Sequence, residues 1–255
     1  MRIIISPAKK MVENIEALPV CGEPSFIDQT NQLLTYLKSL SYEEAKEIWN
    51  CNDQLATMNF ERIASMNLKT KLTPAILSYQ GIQYQYMAPE VLEKDQLEYI
   101  QEHLYILSGF YGILKPLDGV TAYRLEMQAK VNLSDKKDLY EFWGSLLYNK
   151  LREETDFILN LASKEYSKCI ERYVTEDVRL VTCVFGERKG EKVIEKGTYA
   201  KMARGEMVRY MAEHKISTMS EVKKFDRLDF SYDENLSNET KLVFLKGESN
   251  VRDRK

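Results

Sequence analysis

Histidine is nearly absent from this 255-residue chain, which holds only His103 and His214, far apart. A His/Cys zinc site, a Ser-His-Asp set or a Cys-His pair would have to recruit one of those two. Both lie in helix-like, charged surroundings, so these chemistries are set aside. Cysteine is scarce too: Cys21, Cys51, Cys169 and Cys183 share no Cys-x-x-Cys spacing. They read as reduced thiols of a cytoplasmic protein. No apolar run approaches a membrane span, and Met1 to Pro7 is too short and too quickly polar for a signal peptide. Neither sign of charge dominates, with 36 Lys+Arg against 39 Asp+Glu and a net charge of −3. Any nucleic-acid site is therefore a local patch or cleft, not a coat of positive charge. Glycine and proline form no linker and no internal repeat is visible, so one domain over 1–248 with a frayed tail at 249–255 is expected.

The chain alternates between strand-like and helix-like patterns. Arg2 to Ser6 reads as a buried strand stopped by Pro7, with Lys9 and Lys10 just beyond its end. Ser25 to Asn67 reads as helical, with Leu33, Leu34 and Leu37 on one stripe, Ser41 as a cap and a third helix over 53–65. Residues 75–87, rich in Tyr and Ile around Gly81, read as extended or as a bulged strand. Pro89 to His103 reads as an acidic outer helix, Leu104 to Ser108 as a strand, and Asp138 to Glu153 as one helix. Asp156 to Ser163 reads as a buried strand, followed by a short helix over 165–170. Glu187 to Gly190 reads as a hairpin turn, Thr198 to Lys215 and Thr218 to Lys224 as helices, and Lys241 to Leu245 as a last strand.

Four polar clusters stand at strand ends or helix starts. They are Ser6 to Lys10; Ser108 to Gly112 with Tyr123 to Met127; Asn160 to Lys168; and the helix carrying Tyr199, Lys201 and Arg204. On a helical period Lys201 and Arg204 share one face, which suits an anion such as phosphate. Taken singly, each cluster has a plainer reading as turn glycines, a strand pair, a helix cap or a solvated face. Together they suggest one shared cleft. The Gly109 turn has Gly-x-x-Gly spacing, a weak match to a helix-hairpin-helix, and a strand-to-turn reading competes equally with it.

The motifs Ile5-Ser6-Pro7-Ala8-Lys9, Leu107 to Asp118, Tyr123-Arg124-Leu125-Glu126-Met127, Leu139 to Gly144, Asn160 to Tyr166 and Tyr199 to Gly205 resemble, in order, those of the YaaA family of bacterial peroxide-stress proteins. The likeness runs to about Leu245. Local departures are Lys10 and, after Gly81, Ile82-Gln83. The resemblance implies a mixed α/β (α+β) fold, a central sheet flanked by helices in what is described as a cantaloupe fold. It also implies a positively charged cleft, a helix-hairpin-helix element, and binding of duplex and partly unpaired DNA. The family's stress role is linked to limiting free iron, and with it the oxidation of DNA and protein.

The leading expectation is thus a cytoplasmic DNA-binding stress protein without cofactor or bound metal. Its phosphate-binding candidates are Ser6, Lys9, Lys10, Gly109, Gly112, Lys115, Arg124, Asn160, Ser163, Tyr166, Lys168, Tyr199, Lys201 and Arg204. Tyr111, Tyr166 or Tyr199 would stack on an exposed base. The rival is an enzyme acting on a nucleotide or damaged base, with Lys9 or Lys201 as nucleophile and Glu126 or Glu165 as acid or base. A nucleotide or other phosphorylated ligand in the same cleft is the alternative partner. Direct iron sequestration ranks last, for want of a dense ligand cluster.

Overall fold

The computed structural model describes residues 1–13, 18–133 and 135–247; the tail expected at 249–255 lies outside them. Chain order begins with strands β1 (Arg2–Ile5) and β2 (Lys10–Met11), followed by helices α1 (Ile27–Ser39), α2 (Tyr42–Trp49) and α3 (Asp53–Ser65). A compact run comes next: β3 (Thr73–Pro74), α4 (Ala75–Ser78), β4 (Tyr79–Gln80) and α5 (Ile82–Met87). Then come α6 (Lys94–His103), β5 (Leu104–Ser108), β6 (Gly112–Leu114), β7 (Gly119–Val120), α7 (Leu139–Trp143) and α8 (Leu146–Arg152). The chain continues through β8 (Phe157–Asn160), α9 (Lys164–Glu171), β9 (Arg179–Lys189), β10 (Lys192–Ile194) and α10 (Gly197–Glu213). It closes with α11 (Met219–Val222), β11 (Phe230–Asn238) and β12 (Lys241–Lys246).

The main sheet runs β11-β12-β9-β8-β1-β5-β6, with β10 paired to β9 beside that path. Its five inner strands are mutually parallel, and β11 and β6 join antiparallel at the two edges. Such a sheet needs helices over both faces, which is why Ile3, Ile4 and Ile5 are all fully buried and β1 reads as an unbroken apolar run. The result is a single mixed α/β domain with a central sheet flanked by helices.

Local chemistry sets the boundaries. Ser41 caps α2 in a reciprocal box with Glu44, and Asn52 caps α3 through the N–H of Leu55. Three expectations need correcting. Residues 75–87 are two short helices around a two-residue strand; the apolar faces of α4 and α5 are buried, and that packing overrides the β preference of Tyr and Ile. The single helix expected over 138–153 breaks at Gly144, whose φ of +50° no helix accepts. The acidic helix starts at Lys94, capped by Glu93 and Gln96, and Pro89–Val91 forms a separate 3-10 turn. Strand β11 was not anticipated, because its Asp233, Glu234, Asn235 and Ser237 suit a solvated edge more than a core strand.

Candidate functional site

From β1 the chain goes first to β5 on one side and returns much later to β8 on the other. That reversal opens a crevice beyond the carboxyl ends of β1 and β8, where open α/β sheets place their ligands. Ser6 follows β1 directly and Ser163 stands immediately before α9, just after β8. Their side chains bridge the crevice floor: Ser6 Oγ donates to Ser163 Oγ (3.1 Å) and accepts the Ser163 N–H (2.8 Å). Tyr84 of α5 donates its hydroxyl to the Ser6 carbonyl at 3.0 Å. Behind them, buried Asn160 accepts the Ala162 N–H (2.8 Å) and donates to Thr182 Oγ1 (3.1 Å), which shapes the turn that delivers Ser163.

Above this floor is a cavity of about 400 Å³. Its walls come from Lys9 in the loop after β1, from Lys10 of β2, from α5 (Gln83, Tyr84), from Glu126, from α9 (Glu165, Tyr166) and from α10 (Lys201, Arg204). Three of the four sequence clusters meet there, and the second contributes through Glu126. Helix α10 reaches the site because Gly205 lets it lie directly on α5. A Cβ at Gly205 would stand 2.0 Å from the Gln83 carbonyl oxygen.

The electrostatics are mixed rather than uniformly basic. Glu126 accepts from Lys9 Nζ at 2.9 Å and from Arg124 Nη2 at 3.2 Å. Glu165 lies near Glu126, and burial together with that neighbouring charge pushes its carboxyl above the usual range, against the pull of the Gln128 and Met127 N–H groups and Lys9. Arg204 Nη2 donates to Glu195 Oε1 at 3.2 Å, and burial lowers its affinity for the proton.

Glu165 Oε1, Gln83 Nε2, Arg204 Nε and Arg124 Nε are buried without a protein partner. Among the described residues the only other such atom is Trp49 Nε1, on an adjoining cavity. Buried polar atoms cost about 1–3 kcal/mol each when unpaired and are normally satisfied. Three of these atoms belong to Gln83, Glu165 and Arg204, which line the same cavity.

Two further cavities continue the crevice. One of about 660 Å³ shares Lys9 and Glu126 with it, and one of about 590 Å³ shares Lys10, Gln80, Gly81, Ile82 and Tyr84. The successive residues Lys9 and Lys10 border different necks, Lys9 that of the first and Lys10 that of the second. Among the described residues no group of three His, Cys, Asp or Glu is placed to hold a metal ion.

A family model described as "Peroxide stress protein YaaA" matches residues 1–236. The chain belongs to the YaaA family. Its relatives include a "UPF0246 protein" of Agathobacter rectalis, 54% identical over 244 residues covering 96% of this chain and 98% of the relative. A "UPF0246 protein" of Desulfitobacterium hafniense is 52% identical over 246 residues, covering 96% and 98% of the two chains. One of Pediococcus pentosaceus is 48% identical over 248 residues, covering 97% and 99%.

The other candidates in this YaaA-family chain lie elsewhere or act indirectly. Lys115 follows β6, which runs antiparallel, so it emerges at the opposite end of the sheet. There it stands over the Tyr105 ring and 3.7 Å from Glu154, which Arg2 and Lys150 also contact. Lys168 sits over the Tyr140 ring, and Tyr199 carries Lys196 and Lys246 over its face. Tyr111 is buried and its hydroxyl is hydrogen-bonded to Thr121, which leaves no ring face open for stacking. The Gly109–Gly112 turn joins two antiparallel strands, β5 and β6, so the strand-to-turn reading holds there. Gly109 still matters to the site: a Cβ on it would lie 2.5 Å from the Leu125 carbonyl, so the missing side chain lets the segment bearing Glu126 close in. Gly112, at φ +75°, packs under Trp143 and Leu147.

Gln83, Tyr84 and Glu195 are site residues that sequence reasoning missed. Gln83 and Tyr84 were hidden by the strand reading of their segment, and nothing local marks Glu195.

Proposed function

We propose that this YaaA-family protein is a cytoplasmic DNA-binding protein of the peroxide-stress response, and that its strand-end cavity receives one unpaired nucleotide of a strand lying along the crevice. The supporting observation is the convergence of Lys9, Lys10, Lys201 and Arg204 on a cavity of about 400 Å³ whose walls also carry unpartnered Gln83, Glu165 and Arg204 atoms. That volume falls within the usual range for a small-molecule-sized group. In this reading Lys9 and Lys10 meet the phosphates on either side of the inserted nucleotide, and the crevice is the family's basic cleft within its cantaloupe fold. The α2–α3 pair, whose connecting residue Asn50 borders the 660 Å³ cavity, supplies the helix-hairpin-helix contact to adjoining duplex. Protection against iron-driven oxidation then follows from covering exposed bases.

The test is fluorescence-anisotropy titration with duplex, single-stranded and bubble DNA over a salt series. Binding should favour the bubble and weaken steeply with salt. Lys10→Ala with Lys201→Ala removes two exposed cations and should lower the salt slope by roughly 2. Weak binding to every DNA form, or an unchanged slope, overturns the reading and shifts attention to a free nucleotide.

The second reading, an enzyme acting on a nucleotide or damaged base, draws on Glu165 more than on a lysine. Amine nucleophiles are activated by desolvation or neighbouring cations, whereas Lys9 donates to Glu126 with its side chain 65% exposed, and Lys201 is exposed.

A further inference from the structure

Resting on the nucleic-acid reading of the central cavity, we propose that this cavity hydrolyses the N-glycosidic bond of the nucleotide it holds, with Glu165 as general acid and Glu126 as general base. Both carboxyl groups line the same cavity, but their surroundings differ. Glu126 is clamped by two cations, Lys9 at 2.9 Å and Arg124 at 3.2 Å, the arrangement of a charge-bearing carboxylate. Glu165 has one oxygen buried with no partner, and the N–H groups of Met127 and Gln128 face its carboxyl. Its backbone is fixed by the Tyr140 hydroxyl, which donates to the Glu165 carbonyl at 2.8 Å. The charged and titratable groups around it are Glu126, Lys9, Tyr166 and Tyr140, and burial with the Glu126 charge favours its protonated form. Two carboxyl groups that line one cavity, one held by cations and the other buried with an unpartnered oxygen, can serve as a base and an acid.

Within a nucleotide, a bond that such a pair can break with water, by protonating the leaving group, is the one from C1′ to the base nitrogen. Glu165 delivers its proton to the departing base as the C1′–N electron pair leaves with it. Glu126 takes a proton from a water whose oxygen bonds to C1′. The products are the free base and an abasic sugar, and the proton on Glu126 returns to Glu165 through solvent. Gln83 Nε2 and Arg204 Nε, unpartnered on the same walls, donate to the acceptor edge of the base.

The experiment uses the full-length protein and end-labelled bubble oligonucleotides. Each carries one of the four normal bases, uracil, hypoxanthine, 8-oxoguanine or ethenoadenine at the unpaired position, with alkaline cleavage reporting abasic sites. Base release from at least one substrate is expected, with a rate that falls as pH rises through the elevated Glu165 ionisation. Glu165→Gln should lower that rate by about 100-fold or more when measured at saturating protein, so that binding does not limit it. Glu126→Gln should slow release in the same way, and melting curves confirm that both variants fold. No base release by protein that binds the oligonucleotides overturns the catalytic assignment, as does a Glu165→Gln variant that keeps the wild-type rate. Failure to bind any oligonucleotide shows instead that the underlying nucleic-acid reading is wrong.

Discussion

Replacing Gly205 by alanine sets two well-known effects against each other. Gly205 lies inside α10, where alanine is favoured over glycine by about 1 kcal/mol in helix propensity. Against that gain stands the contact with α5. The new Cβ would lie 2.0 Å from the Gln83 carbonyl oxygen, 2.9 Å from the Gln83 carbonyl carbon and 3.0 Å from the Met87 nitrogen. All three are backbone atoms, so no side chain can swing aside. The two helices must instead separate by about 1 Å along their most extensive shared surface, and overpacking of this kind costs about 1–3 kcal/mol or more. With both partners rigid, the upper part of that range applies, for a net destabilisation of about 2 kcal/mol. In a chain of this size that lowers the melting temperature by roughly 4–8 °C. Gly197→Ala, at the start of the same helix, is the control: a Cβ there meets nothing within 4 Å, so the propensity gain is unopposed. Thermal unfolding followed by circular dichroism compares the three proteins. If Gly205→Ala melts at or above the wild-type temperature, the close approach of α10 to α5 is not a constraint and the argument fails.

Two further predictions concern pH. Burial raises the Asp118 carboxyl to about 6, in spite of the hydrogen bond it accepts from the Lys115 N–H. A carboxylate with an elevated folded-state value makes its largest contribution to stability below its ordinary value of 3.8, and loses it as pH rises toward 6. Asp118→Asn should therefore flatten the urea midpoint between about pH 4 and 6, and an unchanged profile would refute this. Glu154 behaves oppositely. Burial opposes its ionisation, but the Tyr105 hydrogen bond and the Lys115 and Lys150 charges hold it down to about 2. Its contribution is present above the ordinary value of 4.5 and is lost as pH falls toward 2. Glu154→Gln should lower the urea midpoint at neutral pH and converge with wild type in strong acid; a constant offset at all pH values would count against it.

Much of the site was legible because strand ends announce themselves. An apolar run closed by Ser6-Pro7, and another closed by Asn160 to Ser163, place polar residues where parallel strands stop. Lys201 and Arg204 were legible from helical periodicity alone, and both line the cavity. Lys115 misled for a topological reason: it also follows an apolar strand, but that strand is the antiparallel one, and direction is not written in composition. The 75–87 segment misled because α4 is wholly buried and α5 packs against distant α10, long-range effects that local propensity does not report. Arg204's partner Glu195 is close in sequence, yet only the turn from β10 into α10 brings the two together.

The position of β1 inside the sheet, between β5 and β8, has a consequence for how the protein is made. Ile3 to Ile5 pair with Leu104 to Ile106 on one side, and Arg2 to Ile4 with Ile158 to Asn160 on the other. At translation rates of about 5–20 residues per second, β1 therefore waits roughly 10–30 s for its second neighbour. Throughout that interval an apolar strand with an unpaired edge is exposed on the nascent chain. Early synthesis, not the finished fold, is when that edge is most open to mispairing.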